Sequence, residues 1–454
     1  MNLCILDAAP LRHPTAAVVR RTLLDYAARQ RWTPRTFFLP DIQIADCADD
    51  FNCWLKTPGV CSINDANREI ARAIVQSDLL VFLTPVTFGG YASELKKAVD
   101  HIIQDISPFF ESVTGESHHE KRYGRYPRLI GVGLADRADD EAARVFRTVV
   151  ARNALNMQSD RHASGVLHPG LGQEGIEAEV ARLLDAASAT ARETGGAPGA
   201  MAGTSLPHDA ALDTGPRPGD WGSAMPAPRS VLVLGGSPRG ERSTSASIGR
   251  HLITQLATHG VRAGTMEIYA AQRTPEKVAS LLAATDQADL IVLSFPLYVD
   301  SLPAPVIRML ERIAAHRRHE APGTRSGAQR FMAVVQCGFP EVGHNDTALA
   351  ICRAFAREAG FTWAGGLALG GGHGLVQSKP LDSLGGKAAH LRKACALTAA
   401  SLVSGRPVPA EAVALLARPF VPAWLYRLFG NLGWRLDARR QKTSGQLRHR
   451  PYET

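Results

Sequence analysis

Residues 235–245 read Gly-Gly-Ser-Pro-Arg-Gly-Glu-Arg-Ser-Thr-Ser and separate an apolar run, Val231–Leu234, from an amphipathic stretch that begins at Ser243. The run predicts a strand and the stretch predicts a helix. Glycines let a ligand approach the backbone, and the first helical turn offers amide N–H groups and a positive dipole end. This strand–helix junction is therefore typical of a phosphate site. An ordinary serine N-cap on the helix is the alternative interpretation.

Four side chains in this junction are the predicted phosphate contacts, through hydroxyl or cationic groups. They are Ser237, Arg239, Ser243 and Ser245. The corresponding loop of the first half, residues 8–15, lacks the glycines but offers Arg12 and Thr15. The sequence therefore predicts the stronger phosphate site in the second half.

Short apolar runs alternate with helical patterns in both halves of the chain. Predicted strands lie at Leu3–Leu6, Thr36–Leu39, Asp78–Thr84 and Leu129–Leu134, and again at Val231–Leu234, Gly264–Tyr269, Asp289–Ser294, Phe331–Val335 and near Leu367. Alternation of this kind predicts parallel sheets with helices on both faces.

The two halves match each other along the sequence. Residues 3–10 match residues 231–238 at an offset of 228, and residues 77–85 match residues 288–296 at an offset of 211. The first half is thus 17 residues longer between its first and third strands. We interpret the chain as a duplication of one domain with a local insertion.

We expect four segments. Residues 1–185 form an α/β domain with a cysteine-containing insertion, and residues 229–405 form a second domain. Residues 186–228 are rich in Ala, Gly and Pro and predict a linker, because they bury too little apolar surface to fold. Residues 406–454 form a basic, aromatic C-terminal extension. It is suited either to a membrane surface or to docking on the protein itself, and docking is the preferred interpretation.

The overall composition excludes several classes of function. The net charge of +8 over 454 residues comes without a nucleic-acid-binding module, so nucleic acid is not an expected partner. No apolar run approaches the roughly 18–20 residues that a membrane span requires. Seven cysteines in so long a chain do not form a disulfide framework, and they favour a reducing, cytoplasmic setting.

The loops after the third strands offer surfaces for a flat ring. The first half supplies apolar and aromatic groups with two glycines: Pro85, Val86, Phe88, Gly89, Gly90 and Tyr91. The second half supplies Pro296, Leu297 and Tyr298 there, and Gly338 after its fourth strand. In open α/β sheets ligands lie at the carboxyl ends of the strands, beside the switch point that these loops flank.

Both halves resemble the flavodoxin-like superfamily of NAD(P)H-dependent FMN reductases and quinone reductases. The resemblance rests on residues 236–245 and 289–298 in the second half and, more loosely, on residues 9–15 and 78–91 in the first. It implies an α/β fold with two doubly wound domains. Each domain is expected to have a parallel five-stranded sheet in the strand order 2-1-3-4-5.

The resemblance also implies FMN as cofactor, NAD(P)H as co-substrate, and a quinone or similar small molecule as acceptor. No catalytic side chain is assigned, because hydride and electron transfer belong to the flavin. Members are commonly dimers, so an intrachain pseudo-dimer or a homodimer is expected. Flavin is expected in at least one half. The alternatives are a non-catalytic electron carrier and a diverged scaffold without turnover.

The inserted loop of the first half carries three cysteines, at Cys47, Cys53 and Cys61. It resembles the insertion of iron–sulfur flavoproteins, but Asp50 stands where that pattern has its second cysteine. Iron–sulfur clusters ordinarily take four thiolates. The preferred interpretation is a degenerate loop without metal, which caps the flavin edge through Phe51 and Trp54.

Overall fold

The computed structural model describes residues 1–189, 212–217, 225–319 and 329–453. They belong to two compact units, Met1–Ala211 with Arg427–Thr454, and Leu212–Tyr426. Most of the predicted linker lies outside the described residues, and its first residues complete a helix that ends at Ser188.

The first unit contains one main sheet and a separate hairpin. Its strands are β1 (Asn2–Asp7), β2 (Thr33–Phe38), β3 (Leu79–Thr87), β4 (Gly90–Tyr91), β5 (Ile106–Val113), β6 (Glu116–Lys121), β7 (Arg128–Leu134) and β8 (His162–Leu167). Its helices are α1 (Pro14–Arg29), α2 (Asn52–Leu55), α3 (Asn67–Val75), α4 (Ser93–Asp100), α5 (Asp140–Asn156) and α6 (Gly172–Ser188). The parallel strands follow the order β2-β1-β3-β7-β8, with β4 antiparallel to β3, and β5 pairs with β6.

The second unit contains one parallel five-stranded sheet. Its strands are β9 (Ser230–Gly235), β10 (Arg262–Glu267), β11 (Leu290–Pro296), β12 (Arg330–Gln336) and β13 (Thr362–Leu369). Its helices are α7 (Thr244–Ala257), α8 (Ile268–Ala271), α9 (Pro275–Gln287), α10 (Ala304–His319), α11 (Asp346–Glu358), α12 (Gly372–Val376), α13 (Ala389–Val403) and α14 (Ala410–Ala417). The order is β10-β9-β11-β12-β13, so the predicted order 2-1-3-4-5 is confirmed in both units.

Equivalent hydrogen bonds hold the first and third strands of each unit together. The Ala8 amide donates to the Leu83 carbonyl at 2.8 Å, and the Gly236 amide donates to the Ser294 carbonyl at 2.9 Å. The central strands β3 and β11 are almost wholly buried, which explains why their sequences are continuous apolar runs. These bonds bring the loops after strands 1 and 3 to the same edge of each sheet.

The inserted loop of the first unit packs against the C-terminal part of the chain. The last helix, α15 (Ala423–Arg440), passes from the second unit into the residues that belong to the first. Its Trp434 ring lies 5.2 Å from the ring of Trp54. The indole N–H of Trp54 donates to the Ile103 and Ile106 carbonyls at 2.9 and 3.1 Å. This segment of the extension is therefore docked on the protein itself.

The buried guanidinium of Arg122 fixes the end of the chain. It donates to the Leu447 and His449 carbonyls at 3.0 and 2.7 Å. Thr443 adds a hydroxyl bond of 2.7 Å to the Leu55 carbonyl in the inserted loop. No helix in the described part of the chain is long and apolar enough to cross a membrane.

Replacing Trp54 tests this packing. We expect Trp54→Ala to lower the free energy of unfolding by about 3–5 kcal/mol, because it removes a fully buried ring. Urea titration followed by circular dichroism measures the change. Trp424→Ala is the matched control, since Trp424 is 63% exposed. The control is expected to change stability by less than about 0.5 kcal/mol. Equal losses in the two variants would contradict the packing described for Trp54.

Candidate functional site

The junction between β9 and α7 forms a turn lined by hydroxyl groups. Ser243 is the N-cap of α7, and its Oγ accepts from the Ala246 amide at 3.0 Å. The Oγ of Ser237 accepts from the Arg239 amide at 3.3 Å. Both serines are buried, while Arg239 is partly exposed. The serine cap proposed as the alternative is thus present, but it uses only one of the three predicted serines.

Two further hydroxyls at this junction lack partners. Thr244 Oγ1 and Ser245 Oγ are shielded from solvent and have no hydrogen-bond partner among the described residues. A buried hydroxyl without a partner costs about 1–3 kcal/mol. The first amides of a helix also lack intrahelical partners, and they carry the positive end of the helix dipole. An oxyanion seated here would satisfy both sets of groups. Thr244 was not among the predicted contacts, although its place in a Ser-Thr-Ser run at a helix start is a signal for it.

The loops after β9, β11 and β12 meet at one edge of the second sheet. Ser294 Oγ donates to the Ser245 carbonyl at 2.8 Å, which ties β11 to the first turn of α7. The Leu297 amide donates to the Gln336 carbonyl at 2.8 Å, which ties the next loop to the end of β12. Pro296 ends β11 in the core, whereas Leu297 and Tyr298 are partly exposed beyond it.

A tight turn follows Tyr298. Tyr298 and Ser301 exchange backbone hydrogen bonds of 2.9 and 3.0 Å. Between them Val299 and Asp300 have φ values of 47° and 52°. In the first unit Phe88 and Gly89, at the same offset of 211, have φ values of 52° and 80°. Both units therefore form the same kind of two-residue hairpin turn, with positive φ at both central residues, although the second has no glycine there.

The turn in the second unit is strained, and it is contacted by Thr347 and His344. A β-branched residue such as Val299 rarely adopts a positive φ. The Asp300 carbonyl accepts a hydrogen bond from the Thr347 hydroxyl, and the Asp300 carboxylate lies 3.8 Å from His344 Nδ1. His344 is buried, so it supports this turn rather than lining an open site. Strained backbone of this kind concentrates at functional sites.

Gly338 lies in the loop that follows β12 at the same edge. Open space surrounds the position that a Cβ would take there, and its carbonyl accepts from the Tyr426 hydroxyl at 2.7 Å. Phe420 packs against Gly371 in the loop after β13. Burial raises the pKa of the neighbouring Cys337 thiol to about 12, so it is not a ready nucleophile. Tyr426 and Phe420 lie more than 30 residues from these loops along the chain. No local pattern in the sequence therefore predicted their contacts.

The equivalent junction in the first unit is closed by its own side chains. Asp7 ends β1, is buried, and accepts from the Ala9 amide at 3.0 Å and from Arg20 Nε at 2.5 Å. The Arg20 guanidinium also donates to the carbonyls of the loop at 2.7, 3.2 and 3.0 Å, those of Ala9, Pro10 and Leu11. Position 235 of the second unit, which corresponds to Asp7, is glycine.

The first turn of α1 is likewise occupied. His13 Nδ1 accepts from the Ala16 amide at 3.3 Å, and Pro14 supplies no amide hydrogen. Of the two predicted phosphate contacts in this unit, Arg12 is exposed and Thr15 is buried. The first unit thus offers fewer free donors to an anion than the second.

The surface that we predicted to hold a flat ring in the first unit is largely buried inside the domain. Tyr91 is fully buried between the rings of Phe82 and Phe146, at 5.7 and 5.8 Å. Phe88 is also buried, and Gly89 and Gly90 lie with it in the tight turn. The partly exposed residues of this loop are Pro85, Val86 and Thr87.

The three cysteines of the inserted loop do not form a ligand set. Cys61 Sγ lies 3.6 Å from His101 Nδ1, and burial raises the pKa of the Cys47 and Cys53 thiols. Across the described residues, no group of three or more His, Cys, Asp or Glu side chains is placed to hold a metal ion. Phe51 and Trp54 stack on each other at 5.4 Å, against Trp434.

Two family models match the chain, one in each unit. The model described as flavodoxin-like fold matches residues 229–382, and the model described as NADPH-dependent FMN reductase matches residues 14–159. The chain is a tandem member of the flavodoxin-like superfamily. The junction after the first strand thus differs between the two units: side chains fill it in the first, whereas glycine stands in place of Asp7 in the second. No curated protein matches the chain.

Three solved structures are each similar to about two fifths of the chain. An NAD(P)H:quinone oxidoreductase from Methanothermobacter marburgensis is 14% identical with a TM-score of 0.33, over 40% of this chain and 93% of its own. An azoreductase from Bacillus anthracis str. Sterne is 13% identical with a TM-score of 0.32, over 41% and 98%. An FMN-dependent NADH-azoreductase from Bacillus anthracis str. Ames Ancestor, in complex with FMN, is 13% identical with a TM-score of 0.27, over 37% and 97%.

Relieving the strained turn tests its geometry. We expect Val299→Asn to raise the free energy of unfolding by about 1 kcal/mol, because asparagine tolerates the left-handed region and valine does not. Thermal and urea unfolding of the full chain measure the gain. Val299→Thr, which keeps the β-branch, is the control and is expected to show no gain. A loss of stability in Val299→Asn would show that the turn has another backbone shape.

Proposed function

We propose that the chain is an FMN-dependent NAD(P)H oxidoreductase that reduces a quinone or a similar small acceptor, and that its second unit holds the flavin. The observation that carries this proposal is the pair of buried, unpartnered hydroxyls of Thr244 and Ser245 at the start of α7. Membership of the flavodoxin-like superfamily and the match to an FMN reductase model support the reaction class.

The start of α7 is suited to the flavin phosphate. Thr244 and Ser245 would donate their hydroxyl hydrogens to phosphate oxygens, together with the free amides of the first turn. Arg239 is partly exposed at the mouth of the junction and would add positive charge. Ser237 and Ser243 already accept from backbone amides, so their part is to hold the turn in shape. Hydrogen bonds to a charged oxyanion are stronger than those between neutral groups.

The neighbouring loops are suited to the flavin ring. Leu297 and Tyr298 offer partly exposed apolar and aromatic surface, and Gly338 leaves open space across from them. Bound flavin supplies the hydride and electron chemistry. The chain would position the ring, exclude water from one face and leave the other for NAD(P)H and the acceptor. Thr347 and His344 would keep Tyr298 in place through the strained turn.

The proposal does not place a flavin in the first unit. Its junction is filled by Asp7, Arg20 and His13, and we do not assign it an equivalent flavin site.

All seven cysteines are free, which supports the cytoplasmic setting included in the proposal.

Removing the unpartnered hydroxyls tests the phosphate site. We expect Thr244→Val and Ser245→Ala each to weaken FMN binding about tenfold to a hundredfold, the range for a hydrogen bond to a charged group. Titration of the apoprotein with FMN, followed by flavin fluorescence, measures the affinity. Ser247→Ala is the matched control, because this buried hydroxyl on the same helix already donates to the Ser243 carbonyl. If the control loses as much affinity as the other two, the assignment is wrong.

A second pair of variants tests which unit binds flavin. We expect Arg12→Ala and Thr15→Val to leave both the FMN affinity and the number of flavins per chain unchanged. Flavin absorbance against protein concentration gives the stoichiometry. Loss of flavin in either variant would move the site to the first unit. Flavin-loaded protein that does not oxidise NADH or NADPH would instead indicate an electron carrier or a scaffold.

A further inference from the structure

One helix carries half of the exposed large apolar side chains in the described part of the chain. Five of the ten exposed large apolar side chains in the described residues lie on α15, with 42–63% of their surface accessible. They are Trp424, Leu428, Phe429, Leu432 and Leu436. Four of them recur every fourth residue, so they form a continuous stripe on one side of the helix. Single exposed apolar residues are ordinary, but a continuous stripe marks an interaction surface.

The opposite side of α15 holds the helix in place. The Asn431 side chain both accepts from the Phe110 amide at 2.6 Å and donates to the Phe110 carbonyl at 3.0 Å. Trp434 packs on Trp54, and Ala438 is fully buried. The stripe therefore belongs to an ordered helix whose inner face is already used.

The charges along this segment are almost all positive. From residue 418 to residue 442 the sequence has six basic residues and one acidic residue, Asp437. Asp437 is already paired with Arg440 at 2.9 Å. Arg435, Arg439 and Lys442 are exposed at the C-terminal end of the stripe. An apolar stripe that ends in basic side chains is typical of helices that lie in the interface of an anionic membrane.

The same charges disfavour a second copy of the chain as the occupant. A symmetric pair of antiparallel helices would place Arg435 and Arg439 of one copy against the N-terminal part of the other helix. That part contains no acidic residue, and its one basic residue, Arg427, donates to Ser117 Oγ at 3.0 Å on the inner face. Arg435 and Arg439 would then lie against apolar surface without an acidic partner, which opposes association.

We propose that α15 docks the protein on the surface of an anionic lipid bilayer. The apolar stripe enters the headgroup region, and Arg435, Arg439 and Lys442 contact lipid phosphates. The helix lies along the surface and does not cross the bilayer. This inference does not rest on the proposed function, although Tyr426 of the same helix donates to the Gly338 carbonyl.

Co-sedimentation with vesicles tests the proposal on the full chain. We expect binding to vesicles of phosphatidylcholine and phosphatidylglycerol in equal parts to be at least about tenfold stronger than to phosphatidylcholine alone, and to weaken with added salt. Leu428→Gln combined with Leu432→Gln is expected to reduce binding at least about tenfold. Both leucines are exposed, so circular dichroism is expected to be unchanged.

The matched control uses two exposed leucines elsewhere in the first unit. Leu24→Gln combined with Leu171→Gln removes the same chemical groups, at side chains 45% and 40% exposed, and is expected to bind vesicles as the wild type does. Equal binding to neutral and anionic vesicles, or no binding, would overturn the proposal. A dimer in analytical ultracentrifugation that the stripe variant dissociates would also overturn it, in favour of self-association.

Discussion

The amides at the start of the helix after the first strand impose the constraint on which this structure depends. They have no partner inside the helix and must find one elsewhere. In the first unit the His13 side chain accepts from one of these amides, and Pro14 has no amide hydrogen. The Arg20 guanidinium donates to the carbonyls of the preceding loop. In the second unit only Ser243 caps the helix, and the hydroxyls of Thr244 and Ser245 remain without partners. One unit satisfies its junction internally, and we propose that a ligand completes the junction of the other.

The backbone geometry of this edge is more alike in the two units than the side chains are. The two-residue hairpin turn after the third strand is present in both units, although Gly89 corresponds to Asp300. In the second unit, which has no glycine there, the Asp300 carbonyl accepts a hydrogen bond from Thr347 and the Asp300 carboxylate lies 3.8 Å from His344 Nδ1. Loss of glycines from the sequence therefore does not indicate loss of the loop's shape. It indicates that neighbouring side chains hold the shape.

Much of the fold was predictable because its signals are local. The apolar runs that became β3 and β11 follow from burial on both faces of a parallel sheet, whereas the strand order was expected from the family resemblance. The hairpin of β5 and β6 was missed, since Glu116–Lys121 is polar throughout. The packing of Trp54 on Trp434 joins residues 380 positions apart, and no local pattern shows it. The burial of Tyr91 was missed for the same reason, because it depends on Phe146 in a later helix.

In the candidate site, too, local patterns were predictable from the sequence and contacts between distant residues were not. The hydroxyls at 243–245 were visible as a run at a strand–helix junction, whereas the pairing of Asp7 with Arg20 that closes the other junction appears only in three dimensions. The most direct test of the phosphate site compares FMN with riboflavin, which lacks the phosphate, in binding to the same apoprotein. FMN is expected to bind at least about a hundredfold more tightly, because its phosphate would engage several buried donors at the start of α7. Equal affinity for the two flavins would contradict the phosphate site.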